Sequence, residues 1–254
     1  MDVRSRLNML TPRQSKTPVK FNAVIFDLYG TLVDDFASSV GQLHTEFVRT
    51  LAVPPDSFMK LWRETTEMRV IGAFQTVEAS IEYVCNLLGV PITMEQLTRA
   101  VEIRLQLIRR TLSPRPDGLE TLAQIKNAGY KIGLLSNCTI EIPIVWPETG
   151  FADLVDSAIF SSREGLKKPD PRIYRMACER LSVAPESCLY IADGENYELT
   201  AAGNVGLHCL LLRNSSRDDH TELLREAREW QGEIIHTLSE VLGLISPTSN
   251  QAHR

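Results

Sequence analysis

The stretch FNAVIFDLYGTLVDD, Phe21 to Asp35, runs apolar residues straight into an aspartate, then a glycine, a threonine and more acid. A short apolar burst without alternation fits a strand buried on both faces of a parallel sheet. Such a strand puts its last residue, here Asp27, at the carboxyl edge of the sheet, where open α/β folds bind ligands. Four later bursts have the same character: KIGLLSN from Lys131, SAIFSS from Ser157, CLYIAD from Cys188 and LHCLLLR from Leu207. Between them, GLETLAQIKNAGY from Gly118 and PRIYRMACERLSV from Pro171 show helical periodicity. This alternation predicts a doubly wound α/β fold on a parallel sheet.

One segment interrupts it. From residue 38 to residue 111 only helical periodicity is found, in VGQLHTEFVRTL, SFMKLWRETTEMRV, ASIEYVCNLLG and MEQLTRAVEIRLQLIRR. The Pro-rich SPRPDG, Ser113 to Gly118, returns the chain to the α/β pattern. The expected organisation is therefore a core of residues 20–37 and 112–246 with a helical insert at 38–111. Residues 1–19 are basic and Pro-punctuated and read as a disordered leader, with a transit peptide as the alternative. Residues 247–254 read as a flexible tail.

The 254 residues are 43% hydrophobic, enough for one large domain or a core with a smaller module. A net charge of -5 and a pI near 5.6 give no basic footprint for nucleic acid. A small anionic substrate remains compatible with a local cationic pocket. No apolar run nears the roughly 20 residues that span a bilayer. The five cysteines form no CxxC, which reads as free thiols in a reducing, cytoplasmic setting. The five histidines have no metal-ligand spacing either. Oligomeric state is not readable.

The polar groups at the strand ends carry the chemistry. Asp27 closes the first burst, Ser136 and Asn137 the second and Asp193 the fourth, while Lys168 lies on a loop in GLKKPDP. Any one of these alone is a common cap or turn residue. Together they suit nucleophilic attack by a carboxylate. Asp27 attacks, Ser136 and Asn137 hold transferring oxygens, and Lys168 neutralises charge. Mg²⁺ would take oxygen ligands from Asp27, a backbone carbonyl and Asp193.

DLYGT, LLSN, KKPDP and IADGENYELTAAGNVG, in this order, resemble the four motifs of the haloacid dehalogenase (HAD) superfamily. The helical insert looks like its C1-type cap, and the resemblance runs from Phe21 to about Ile245. It implies a Rossmann-like core with Asp27 as nucleophile, Ser136 and Lys168 as catalytic partners, and Thr31, Asn137 and Arg63 against the substrate. It also implies Mg²⁺ held by Asp27, the Tyr29 backbone carbonyl, Asp193 and Glu198.

Tyr29 divides the family's chemistries. Phosphatases of the superfamily carry an acid two residues after the nucleophile, and a phenol with a pKa near 10 is a poor replacement for it. The dehalogenases resemble this chain in their DxYGT motif and in an LWR triplet, here Leu61-Trp62-Arg63. Arg69 is a similar candidate for contact with substrate. The acids Asp193 and Glu198 point the other way, because carboxylates beside Asp27 repel without a cation. Glu195 reads as a solvated loop residue. The leading expectation is a Mg²⁺-dependent phosphatase on a small phosphorylated metabolite. A metal-independent 2-haloacid dehalogenase and a non-catalytic binding module stand as alternatives.

Overall fold

The computed structural model describes residues 21–34, 41–213 and 224–245. The expected leader at 1–19 and tail at 247–254 lie outside the described residues. Strands β1 (Ala23–Phe26), β2 (Lys131–Ser136), β3 (Ser157–Phe160), β4 (Cys188–Ala192), β5 (His208–Leu212) and β6 (Glu233–Ile235) form one sheet in the order β3-β2-β1-β4-β5-β6. Every pairing in it is parallel. This is the doubly wound sheet that the bursts predict, with β6 added at one edge.

Strand order reverses around β1, which pairs with β2 on one side and β4 on the other. Registers Phe26↔Leu134 and Phe26↔Ile191 bring the three carboxyl ends level, and Asp27 N donates to the Ile191 carbonyl at 2.9 Å. Asp27, Ser136 and Asp193 therefore leave the sheet at one edge, beside the switch point where α/β folds bind ligands. Alternation along β1 sends Val24 and Phe26 into one buried face and Ala23 and Ile25 into the other.

Between β1 and β2 come α1 (Gly41–Thr50), α2 (Pro55–Glu64), α3 (Thr66–Val70), α4 (Val77–Leu87) and α5 (Met94–Thr111), then α6 (Gly118–Asn127). Their starts follow from local chemistry. Pro55 opens α2, Thr76 caps α4 by accepting from Ala79 N at 3.1 Å, and Thr93 with Gln96 forms a capping box on α5. Phe47, Phe58, Trp62 and Ile103 of this insert share one apolar cluster with Val24 and Phe26 of the sheet. The insert thus sits on the sheet as a helical cap.

The rest of the core carries α7 (Glu141–Val145), α8 (Ser161–Glu164), α9 (Pro171–Arg180), α10 (Glu198–Val205) and α11 (Arg225–Glu229). The burst SAIFSS ends as a strand at Phe160, and its two final serines begin α8. No helix among the described residues is long and apolar enough to cross a membrane.

Candidate active site

The carboxyl edge of the sheet and the underside of the cap enclose a cavity of about 450 Å³. Asp27, Tyr29, Asn137, Lys168 and Glu198 line it from the core, and Trp62, Arg63, Arg69 and Arg104 from the cap. At its floor the Lys168 ammonium bonds Asp27 Oδ1 and Glu198 Oε2, each at 2.5 Å. Tyr190 OH also donates to Glu198 Oε2, at 2.7 Å. All three charged groups are buried. Burial works against the ammonium, but the Asp27 and Glu198 carboxylates outweigh it and push the Lys168 amine above its usual range. Burial raises Asp27 to about 6 even though Lys168 opposes the shift, with Glu198 adding to it.

The loop after β4 sets these distances by holding unusual backbone. Gly194, Asn196 and Tyr197 all have positive φ, at 81°, 53° and 59°. Such a run costs conformational energy and is kept where the surroundings require it. Here it lets Glu195 N donate to both Asp193 Oδ1 (3.1 Å) and Glu198 Oε1 (3.2 Å). Glu195, expected as a solvated residue, lines the cavity.

Other expected site residues have found partners within the protein. Thr31, placed against substrate by the sequence, is fully buried, and its hydroxyl donates to Asp27 Oδ2 at 3.1 Å. It orients the carboxylate instead. Asn137 lines the cavity while its side chain exchanges two bonds with the Lys168 backbone, Nδ2 to the carbonyl at 3.0 Å and Oδ1 from the N–H at 2.8 Å. That clasp fixes the loop bearing Lys168. Ser136 is buried at the end of β2 and does not line the cavity. Arg63 is exposed and lines the cavity from α2.

Tyr29 follows β1 in a tight turn, where Leu32 N and Val33 N both donate to the Leu28 carbonyl, at 2.8 and 3.0 Å. Its phenol lies 3.3 Å from Thr111 Oγ1, and burial holds its pKa well above the usual tyrosine range. A phenol so held stays neutral and is no general base near pH 7.

Asp27, Asp193 and Glu198 each offer an oxygen within 4.8 Å of the others, and hard oxygens are what Mg²⁺ takes. However, Lys168 already bridges Asp27 and Glu198. An ion there would use the remaining carboxylate oxygens, and the ammonium supplies one positive charge without it. Sequence reading also missed Tyr190, hidden inside a strand burst. It missed the buried pair in which Arg104 Nη2 meets Glu141 Oε1 at 2.9 Å, tying α5 to α7.

A family model for haloacid dehalogenase-like hydrolases matches residues 21–206. The chain belongs to this family. An (S)-2-haloacid dehalogenase of Pseudomonas fluorescens is 28% identical over 232 residues, covering 84% of this chain and 96% of that protein. The (S)-2-haloacid dehalogenase 4A of Burkholderia cepacia is 24% identical over 243 residues, covering 91% and 97%. Among solved structures, a dehalogenase at 23% identity covers 90% of this chain and 98% of that one with a TM-score of 0.58, which shows the shared fold.

These findings overturn the expectation of a Mg²⁺-dependent phosphatase. By sequence, the phosphatases of Halopiger xanaduensis, Methanopyrus kandleri and Methanothermobacter thermautotrophicus match shorter stretches. The ribulose-1,5-bisphosphate 5-phosphatase of Halopiger xanaduensis, 31% identical, aligns with 52% of this chain and 56% of its own length. The two acids that suggested Mg²⁺ do not carry that reading, since one of them is bound to Lys168.

Proposed function

We propose that this hydrolase is a 2-haloacid dehalogenase that works without a metal. The observation that carries the reading is the neutral Tyr29 phenol where a phosphatase of this fold carries an acid. An alkoxide leaving from a phosphate ester needs a proton, whereas a halide leaves as a stable anion. A site with a neutral phenol in place of that acid is therefore suited to carbon–halogen cleavage. The dehalogenase names of relatives aligned along most of the chain support this reading.

In this mechanism an Asp27 oxygen attacks C2 of the haloacid from the side opposite the halogen. The C–O bond forms as the carbon–halogen bond breaks, and halide leaves with its electron pair. Thr31 and Lys168 hold the attacking carboxylate. Water then attacks the Asp27 carbonyl carbon of the ester and gives up a proton to Glu198. The 2-hydroxyacid departs, taking that proton, and Asp27, left as the carboxylic acid, releases water's second proton to solvent and returns as a carboxylate. Displacement inverts C2.

The test is halide release from (S)- and (R)-2-chloropropionate by the purified chain, with Asp27→Asn as control. Release from one enantiomer, with an inverted 2-hydroxyacid product and loss in the control, is expected. Phosphate release from esters with no halide release from any 2-haloacid would sink the reading.

A further inference from the structure

A buried guanidinium is unfavourable without an opposite charge, so buried arginines are normally paired. The cap side of the cavity holds two of them, Arg69 and Arg104, only 5% and 6% exposed. Arg104 has its carboxylate, donating from Nε and Nη2 to Glu141 Oε1 at 3.2 and 2.9 Å. Arg69 has none among the described residues. Its Nη2 donates to neutral oxygens, the Trp62 carbonyl at 2.5 Å and Thr66 Oγ1 at 2.9 Å, and its buried Nε meets no acceptor.

The Arg69 guanidinium lies over the Trp62 ring, 3.8 Å from its centroid, with the Arg104 guanidinium 5.2 Å from the same ring. Arg69, Arg104 and Glu141 together leave one positive charge in excess. Burial lowers Arg69 to about 10, with Arg104 adding to the effect and Glu141 opposing it, so the group stays charged at neutral pH. Arg63, by contrast, is exposed.

We propose that Arg69, rather than Arg63, binds the carboxylate of the substrate. The missing partner is a small carboxylate, which a guanidinium engages through charge-assisted hydrogen bonds. Arg69 on α3 and Asp27 at the sheet edge line one cavity, with Met59, Leu107, Ile108 and Ile142 also in its wall. A haloacid held by Arg69 places its carbon chain against that apolar wall and turns C2 toward Asp27. The identity of the substrate rests on the dehalogenase reading; the carboxylate site does not.

The experiment is calorimetric binding of propionate, which has no halogen, to the full chain and to Arg69→Met, Arg69→Lys and Arg63→Met. Propionamide, of similar shape but neutral, is the control. The KM and kcat of each protein on (S)-2-chloropropionate are measured alongside. Losing a charge-assisted contact should weaken propionate about tenfold or more in Arg69→Met. Arg69→Lys should retain part of the affinity, Arg63→Met most of it, and KM should rise more than kcat falls. Preference for propionate over propionamide should vanish in Arg69→Met, which a purely packing role would not produce. If Arg69→Met fails to fold, Arg69→Lys against Arg63→Met gives the same comparison. Loss of propionate in Arg63→Met with retention in the Arg69 variants overturns the proposal, as does a wild-type chain that binds no propionate. Propionate binding through Arg69 without halide release from any haloacid would uphold the site and reject the dehalogenase reading.

Discussion

Asp27 has neighbours that pull its charge in opposite directions. Burial and Glu198 favour the protonated acid, Lys168 favours the carboxylate, and the balance sits at about 6. Only the carboxylate attacks carbon, so kcat/KM for the haloacid should be flat above neutrality. It should be halved near pH 6 and fall tenfold per unit below that; a pH–rate profile checks this. Lys168→Met should abolish turnover and also destabilise the fold. Removing one partner of a buried ion pair costs about 3–5 kcal/mol. Without the ammonium, the folded-state pKa of Asp27 rises further above its unfolded value. Folded protein then binds protons more tightly than unfolded chain as pH falls, so the variant should regain stability on acidification. Urea denaturation of both proteins at pH 7.5 and pH 5 measures the difference, which should narrow at the lower pH. The same ammonium takes an oxygen of Glu198, one of the two acids from which Mg²⁺ is read. Spacing shows which groups converge at a sheet edge, but not that a lysine bridges two of them, Asp27 and Glu198.

The cap meets the core along a seam between α3 and α8. Ser161 Oγ donates to the Val70 carbonyl at 2.7 Å and accepts from Cys138 N at 2.9 Å, joining the end of α3 to the loop after β2. Two residues beyond Val70, Gly72 has a φ of +73°, and a Cβ there would overlap the Ser162 carbonyl. Gly72→Ala should therefore destabilise the protein by about 1–3 kcal/mol. It should also raise KM, because Arg69 lies just upstream on α3; thermal melts and initial rates test the two effects together. Five strands were legible because their residues are buried on both faces and read as unbroken apolar bursts. β6 was not, since Glu233–Ile235 is three residues at a sheet edge with no pattern of its own. SFMKLWRETTEMRV reads as one helix, yet it divides at Thr65, whose hydroxyl donates to the Leu61 carbonyl at 2.8 Å. On a single amphipathic helix only the LWR resemblance ranks the two arginines, and it puts Arg63 first. Their separation into an exposed and a buried arginine comes from the fold around them.

At the scale of the whole molecule, the proposed dehalogenation needs no dissociable ion, because the Lys168 ammonium already meets Asp27 and Glu198 at the sheet edge. Halide release should therefore keep its rate within about twofold after dialysis against EDTA and on addition of Mg²⁺, because no step is assigned to a metal. A loss of activity restored by Mg²⁺ would show that Lys168 yields its place to the ion. The connection between cap and sheet has a separate consequence. The chain departs after β1 and returns at the Pro-rich segment, and there the two passes lie side by side. Val33 bridges Pro114 in antiparallel fashion, and Arg115 N donates to the Leu32 carbonyl at 3.0 Å. Such a neck makes the cap a graft: its stem closes on itself, so the strand order of the sheet does not depend on what the stem carries. The apolar cluster shared by Phe47, Trp62, Val24 and Phe26 sets the opposite condition. Any transplanted lid must cover the same greasy patch, so exchange is easy for the topology of this fold and demanding for its surface.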